Sequence, residues 1–122
     1  MPLDLAGIPI VDNHCHSLLR NQPADDPAFR IHLTESYFEE IARDHVPTSI
    51  FYRRTMVELA ELLDCGPAPE AVHEARVARG VEWLTREIVR RANFKTWLID
   101  TGYGAETTYS LDELRDLAPV RV

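Results

Sequence analysis

The feature that most constrains the fold is an apolar run that ends in an acid and two histidines. Residues 8–16 read IPIVDNHCH. The run predicts a buried β-strand over residues 8–14, in which alternate side chains share a face, so Asp12, His14 and His16 are expected to point the same way. Two imidazoles side by side where a strand ends have the spacing that a divalent metal ion needs for two ligands from one element. The pattern therefore predicts His14 and His16 as metal ligands, whereas an isolated H-x-H is more simply two solvated histidines.

Helical patterns fill the middle of the chain. A polar, proline-marked loop is predicted at residues 20–30. Capping residues and the 3.6-residue spacing of apolar side chains predict three helices after it, the first capped by Thr34. These helices cover residues 34–46, 48–64 and 69–92. The third contains Gly80, which costs about 1 kcal/mol relative to alanine in a helix, and His73, which is expected to be solvated.

Two further strand patterns follow the helices. Residues 94–99 form a short apolar run that ends at Asp100, so a second strand is expected there. Ser110 and Glu113 form a capping box that opens a short helix, and residues 120–122 look like the start of a third strand. Strands that alternate with helices imply parallel pairing with right-handed crossovers.

Composition excludes several classes of protein. The 122 residues are 45% hydrophobic and 27% charged, which is typical of one globular domain at most. A formal net charge of −7 argues against nucleic acid as a partner. No apolar run reaches the roughly 18 residues of a membrane helix, and the first five residues lack the basic flank and apolar core of a signal peptide. We therefore expect a cytoplasmic protein without a membrane partner.

The opening motif strongly resembles a known family. Residues 11–16 (VDNHCH) are similar to the start of the first barrel strand in the metal-dependent amidohydrolase superfamily. Further segments resemble a subgroup that places a helical excursion between its first two barrel strands, at residues 31–36, 45–54 and 98–103. Similar sequences form the amidohydrolase-like half of proteins fused to glutamine-synthetase-like domains. The resemblance covers essentially the whole chain, but only the H-x-H segment has a known chemical role.

The resemblance implies a metal-dependent hydrolase. His14 and His16 would bind a divalent metal ion, with zinc expected, and the full-length parent would hydrolyse an amide or other C–N bond of a small molecule. In related decarboxylases the parent would release carboxylate from a ring acid. The superfamily's other ligands and its acid/base groups come from later strands that these residues do not contain. Catalytic residues are therefore not assigned, and the chain alone is expected to lack turnover.

Three further residues are assigned from their position. Asp12 either orients a histidine ligand, by accepting a hydrogen bond from the ring nitrogen that does not bind the metal ion, or lies in the barrel floor. Asp100 and Thr101 would lie on the active face of a barrel, where substrate contacts are made. Capping of the following turn is the simpler role for this pair.

The predicted fold is α/β, namely the N-terminal portion of a (β/α)₈ TIM barrel with a helical excursion between strands 1 and 2. A complete barrel takes about 250 residues, so residues 1–122 are expected to be a single partial barrel domain, a fragment that supplies fewer than three of the strands. A missing C-terminal half or oligomerisation would then complete it.

Two alternatives remain open. The chain could be a non-catalytic helical binding or interaction module with a small parallel sheet, in which the H-x-H pair is incidental. It could also be a small metal-binding protein that completes its site by oligomerising.

Overall fold

The computed structural model describes residues 7–102 and 104–122. Tyr103 and the first six residues, which include the segment used to argue against a signal peptide, lie outside the described residues. The described chain contains two β-strands, five α-helices and one π-helical turn, besides two 3₁₀ turns. The strands are β1 (Ile10–His16) and β2 (Phe94–Asp100), and the helices are α1 (Asp26–Arg30), α2 (Ile50–Leu63), α3 (Pro69–Arg79), α4 (Val81–Arg91) and α5 (Leu111–Leu117).

The chain divides into two compact units. The sheet unit contains the described residues up to Asn21 together with Gly80–Val122, and the helical unit contains Gln22–Arg79. The helical unit therefore corresponds to the excursion expected between the first two strands. The assignment of all residues to one partial barrel domain stays a prediction.

The sheet confirms the α/β class with parallel strands. β1 and β2 pair in parallel, with His16 opposite Asp100 at their carboxyl ends. Arg121 forms a parallel bridge to Thr96, in which the backbone nitrogen of Trp97 donates to the Arg121 carbonyl oxygen at 2.8 Å. Because β1 occupies one edge of β2, Arg121 must lie at the other edge. At residues 120–122 the structure therefore contains a single parallel bridge, and the start of a third strand there stays a prediction.

The core of the sheet unit covers β1 only in part. Val89 of α4 packs with Trp97, Ala118 and Val120, and Cys15 packs against this cluster. Ile10 and Val11 are 43% and 58% exposed, although they are consecutive in β1 and face opposite ways. The expectation of a buried first strand is therefore wrong within the described residues, because nothing there covers both faces as parallel sheets require.

The helical unit departs from the predicted loop and first helix. The loop expected at residues 20–30 contains α1, because the Asp25 carboxylate accepts a hydrogen bond from the Ala28 backbone nitrogen at 2.9 Å and Pro27 suits a first turn. Thr34 does not cap a helix. Its hydroxyl accepts a hydrogen bond from the Ser36 backbone nitrogen at 3.1 Å, a local contact that competes with helix formation. The helical turn comes later, at Ile41–His45.

The later helices are predicted better. Ser49 caps α2, since its hydroxyl accepts from the Tyr52 backbone nitrogen at 3.1 Å. The single helix over residues 69–92 is wrong, because Gly80 adopts φ +80° and separates α3 from α4. Residues other than glycine rarely adopt that backbone. Across the described part of the chain, no helix is long and apolar enough to cross a membrane.

Candidate metal centre

The two histidines of the motif lie together at the carboxyl end of β1. The ring centres of His14 and His16 are 5.5 Å apart with the planes at 74°, and both residues are exposed. Two imidazoles that share one tetrahedral zinc ion, each through a nitrogen about 2.0–2.1 Å from it, have ring centres roughly 5 Å apart. The spacing of the pair is therefore compatible with two ligands of one metal ion, and their ligand role stays a prediction.

A bulge in β1 places Asp12 differently from the expectation. Asp12 lies opposite Trp97 and Cys15 opposite Ile99, so β1 has one residue more than β2 between these positions. The extra residue interrupts the alternation of faces. The Asp12 carboxylate lies near the Cys15 thiol, and burial together with this charge raises the pKa of Cys15. Asp12 thus neighbours Cys15 instead of sharing the face of the histidines.

Asp12 also contacts the motif through its backbone. The carboxylate accepts a hydrogen bond from the His14 backbone nitrogen at 3.2 Å. This hydrogen bond restrains the backbone of the bulge at His14. Asp12 therefore contacts His14 through the main chain, and its role in orienting a histidine ring stays a prediction.

Asp100 lies beside the histidines at the end of the neighbouring strand. Its Cα pairs with that of His16, so the two side chains leave the same edge of the sheet. The Asp100 carboxylate accepts a hydrogen bond from the Gly102 backbone nitrogen at 2.8 Å, which is the turn cap that its position favoured. Asp100 and Thr101 are both exposed, and their contact with a substrate stays a prediction.

A shallow cavity adjoins these residues. Its volume is about 440 Å³, within the range of small-molecule sites. It brings together His14 from β1 and Asp100 from β2 with the apolar side chain of Leu111 from α5. The remaining lining residues are Asn13, Trp97, Leu98, Ile99 and Val122. The cavity thus lies against one histidine of the motif and the predicted substrate residue Asp100.

The loops that follow the two strands are joined to each other. The Ser17 hydroxyl donates to the Tyr109 carbonyl oxygen at 2.6 Å, and the Arg20 backbone nitrogen donates to the Thr107 carbonyl oxygen at 3.0 Å. The Arg20 guanidinium donates to both carboxylate oxygens of Glu113 at 2.7 and 2.6 Å. These bonds and those from Ser110 lower the pKa of Glu113 to about 2. The segments that follow β1 and β2 are therefore hydrogen-bonded to each other next to the sheet edge that carries His16 and Asp100.

The ligand set is incomplete as it stands. Among residues 7–102 and 104–122, no group of three or more histidine, cysteine or acidic side chains is arranged to hold a metal ion. Two imidazoles alone hold zinc weakly, because catalytic zinc sites typically use three protein ligands. The described residues therefore offer a partial metal site and no complete catalytic set.

The helical unit contains a buried polar network that sequence reasoning missed. The Asp26 carboxylate accepts a hydrogen bond from the Tyr52 hydroxyl at 2.5 Å, lies 3.2 Å from His73 Nε2 and pairs with Arg30. The prediction of a solvated His73 is wrong, since the residue is 3% exposed. Its position next to buried Val72 on α3 was the available signal, but the acid that it contacts lies 47 positions away in sequence.

Hydrogen bonds favour the charged form of the Asp26 carboxylate in this network. Burial by itself raises the pKa of Asp26, but the hydrogen bonds from Tyr52, His73 and Arg30 outweigh burial and leave that pKa below its usual value. Burial and the neighbouring Asp26 raise the pKa of Tyr52 to about 12. Asp26, Tyr52 and His73 are all buried. They belong to α1, α2 and α3 respectively, so the network joins three helices.

Arg76 adjoins the network, since its Nη2 lies 3.4 Å from His73 Nδ1. Its guanidinium donates to Gln22 Oε1 at 3.3 Å and to the Pro23 carbonyl oxygen, and it lies 4.9 Å above the Phe29 ring. Burial lowers the pKa of Arg76. Its Nε has no hydrogen-bond partner among the described residues, as expected for a guanidinium stacked on an aromatic face. Arg76 therefore fastens the first residues of the helical unit to α3.

Comparison with known proteins gives no match. No protein-family model, no curated protein and no solved structure matches the chain. The resemblance to the amidohydrolase superfamily therefore rests on residues 11–16 and the similar segments alone.

Proposed function

We propose that the chain is the metal-binding N-terminal segment of a hydrolase that acts on amide or other C–N bonds of small molecules, or of a related decarboxylase. His14 and His16 bind a divalent metal ion, with zinc the first candidate. The observation that carries this proposal is the 5.5 Å separation of the two ring centres at the carboxyl end of β1. That separation suits two ligands of one tetrahedral ion.

The parallel sheet supports the barrel part of the proposal. Enzymes with parallel strands place their functional groups at the carboxyl ends of the strands, which is where His14, His16 and Asp100 lie. Arg121 adds a third parallel segment beyond β2. We propose that these are the first strands of a (β/α)₈ barrel and that the helical unit, Gln22–Arg79, is its excursion.

Each residue has a defined part in this scheme. A bound metal ion would lower the pKa of a water molecule that attacks a carbonyl carbon. His14 and His16 hold the ion, and the hydrogen bond from the His14 backbone to Asp12 fixes the bulge. Asp100 and Thr101 contact the substrate from the end of β2. Because two ligands do not make a catalytic site, the 122-residue chain lacks turnover by itself.

Metal titration tests the ligand role. Zinc binding by the 122-residue chain, measured by calorimetry, should weaken about tenfold or more in His14→Ala and in His16→Ala, because each loses one of two nitrogen ligands. His32→Ala removes an exposed histidine of the helical unit and is the matched control. Equal affinity of His14→Ala and His32→Ala would contradict the proposal.

The hydrolase assignment needs a separate test. The reading frame beyond codon 122 should encode strand patterns with further histidines and a late aspartate, which would supply the remaining ligands of the barrel. A stop codon there, combined with zinc-dependent oligomerisation in light scattering, would contradict the hydrolase proposal and support a small metal-binding protein instead. Metal-dependent hydrolysis by the 122-residue chain, abolished in His14→Ala, would show that no further barrel strands are needed.

A further inference from the structure

We propose that the outer face of α2 binds a second copy of the chain, with the two helices antiparallel across a two-fold axis. The outer face is the stripe of exposed side chains Ile50, Arg54, Val57 and Glu61. Residues separated by four and three positions lie on one side of a helix. The stripe belongs to the helical unit alone, so this inference is independent of the proposed metal site.

The outer face of α2 exposes large apolar side chains. Ile50 is 85% exposed and Val57 is 47% exposed, and Phe51 beside the stripe is 62% exposed. Exposed apolar side chains that cluster in this way mark interaction surfaces. The other side of the helix carries its buried residues, which are Tyr52, Met56, Ala60 and Leu63. The helix is therefore apolar on both sides, and the described residues cover only one of them.

The charges of α2 are divided between its two halves. Its basic residues, Arg53 and Arg54, lie in the first half, and its acidic residues, Glu58, Glu61 and the C-cap Asp64, lie in the second. The acids at the carboxyl end oppose the helix dipole, which favours cations there. In an antiparallel pair the basic half of each helix faces the acidic half of the other. An arrangement that is unfavourable in one helix is therefore complementary in two.

Val57 is the position that fits the two-fold axis. Arg54 precedes it by three positions and Glu61 follows it by four. In an antiparallel pair centred on Val57, Arg54 of one copy therefore lies within about 1.5 Å, along the helix axis, of Glu61 of the second copy. Two-fold symmetry makes this contact twice. Within one helix Arg54 and Glu61 are separated by about 10.5 Å of helix length, so they are matched only between copies.

The size of the contact makes this a weak dimer. α2 has 14 residues and is therefore about 21 Å long. One such helix from each copy buries less than the roughly 1,200 Å² at which stable interfaces begin. We therefore expect a dissociation constant of about 100 μM, in the range of transient complexes.

Charge reversal tests the pair. Sedimentation equilibrium of the 122-residue chain up to about 1 mM measures the dimer, in EDTA so that no metal ion joins two copies. Arg54→Glu and Glu61→Arg should each weaken dimerisation about tenfold, because each places like charges opposite one another twice. Glu74→Arg makes the same change in net charge as Glu61→Arg at an exposed position of α3. This control should change the dissociation constant by less than about twofold.

The two reversals combined give the decisive measurement. Arg54→Glu/Glu61→Arg exchanges the charges and should restore the wild-type dissociation constant to within about threefold. Circular dichroism melts should show every variant folded like the wild type, since Arg54, Glu61 and Glu74 are exposed. A wild-type chain that stays monomeric at about 1 mM overturns the proposal. An association that is insensitive to both single reversals, or that the double reversal fails to restore, places the contact elsewhere and overturns it as well.

Discussion

Asp26 lies at the centre of the buried polar network of the helical unit. One buried carboxylate accepts from Tyr52, lies within hydrogen-bond distance of His73 and pairs with Arg30, so three helices share a single anion. Hydrogen bonds to a charged group contribute about 1.5–3 kcal/mol, and a buried donor that loses its acceptor is costly. The network therefore fixes how α1, α2 and α3 pack.

Neutralising this carboxylate should destabilise the fold. Asp26→Asn keeps the size of the side chain but removes the charge that Arg30 faces, and we expect the free energy of unfolding to fall by about 2–3 kcal/mol. Urea denaturation followed by circular dichroism measures the change. Glu61→Gln neutralises an exposed carboxylate of α2 and should alter stability by less than about 0.5 kcal/mol. Equal effects of the two substitutions would show that the network contributes nothing.

The stability contributed by the Asp26 carboxylate should depend on pH. The folded pKa of Asp26 lies below its unfolded value, so its contribution to stability is present above the unfolded pKa and is lost as pH falls through the folded pKa. We expect the stability difference between wild type and Asp26→Asn to be constant near neutral pH and to shrink below about pH 4. A difference that stays constant down to pH 2 would contradict the assigned pKa shift.

Elements differ in how far the sequence determines them. The spacing of His14 and His16 within an apolar run predicted both the strand and the juxtaposition of the rings, because alternation of faces is a local property. The bulge between Asp12 and Cys15 could not be predicted in this way, since it depends on which residues of β2 lie opposite. The contact between Asp26 and His73 could not be predicted either, because it joins helices that are far apart in sequence.

The break between α3 and α4 is also an element-scale effect. Gly80 has φ +80°, and an added Cβ would meet nothing within 4 Å. The backbone conformation, and not a steric clash with a neighbour, therefore disfavours a side chain at this position. Gly80→Ala should destabilise the protein by about 1–3 kcal/mol, because the backbone at Gly80, with φ 80° and ψ 160°, lies in a region that other residues adopt only under strain. Gly66→Ala is the control, because Gly66 has equal space and no positive φ. Thermal melts that rank Gly66→Ala as the more damaging substitution would refute this explanation.

At the scale of the molecule, the sheet exposes apolar side chains in its described residues. Ile10, Val11 and Leu98 are each more than 40% exposed, although parallel sheets are normally covered on both faces. The barrel proposal explains this exposure, because later strands and helices of a barrel would cover those positions. The same exposure makes the isolated 122-residue chain prone to associate.

Association should therefore depend on β1. We expect the wild-type chain to bind a hydrophobic dye and to elute above monomer size in size-exclusion chromatography, since exposed apolar sheet surface drives both. Val11→Lys should reduce both signals, whereas Ala105→Lys places the same charge on an exposed loop position and should leave them unchanged. A monomeric wild-type chain with a cooperative melt and no dye binding would favour the self-contained module.

X-ray absorption spectroscopy of the zinc-loaded 122-residue chain tests the central claim most directly, because it counts the imidazole nitrogens bound to the ion. The account predicts two histidine ligands at about 2.0–2.1 Å, reduced to one in either His14→Ala or His16→Ala. A zinc environment that contains no imidazole pair, or one that is unchanged when both histidines are replaced, would contradict it.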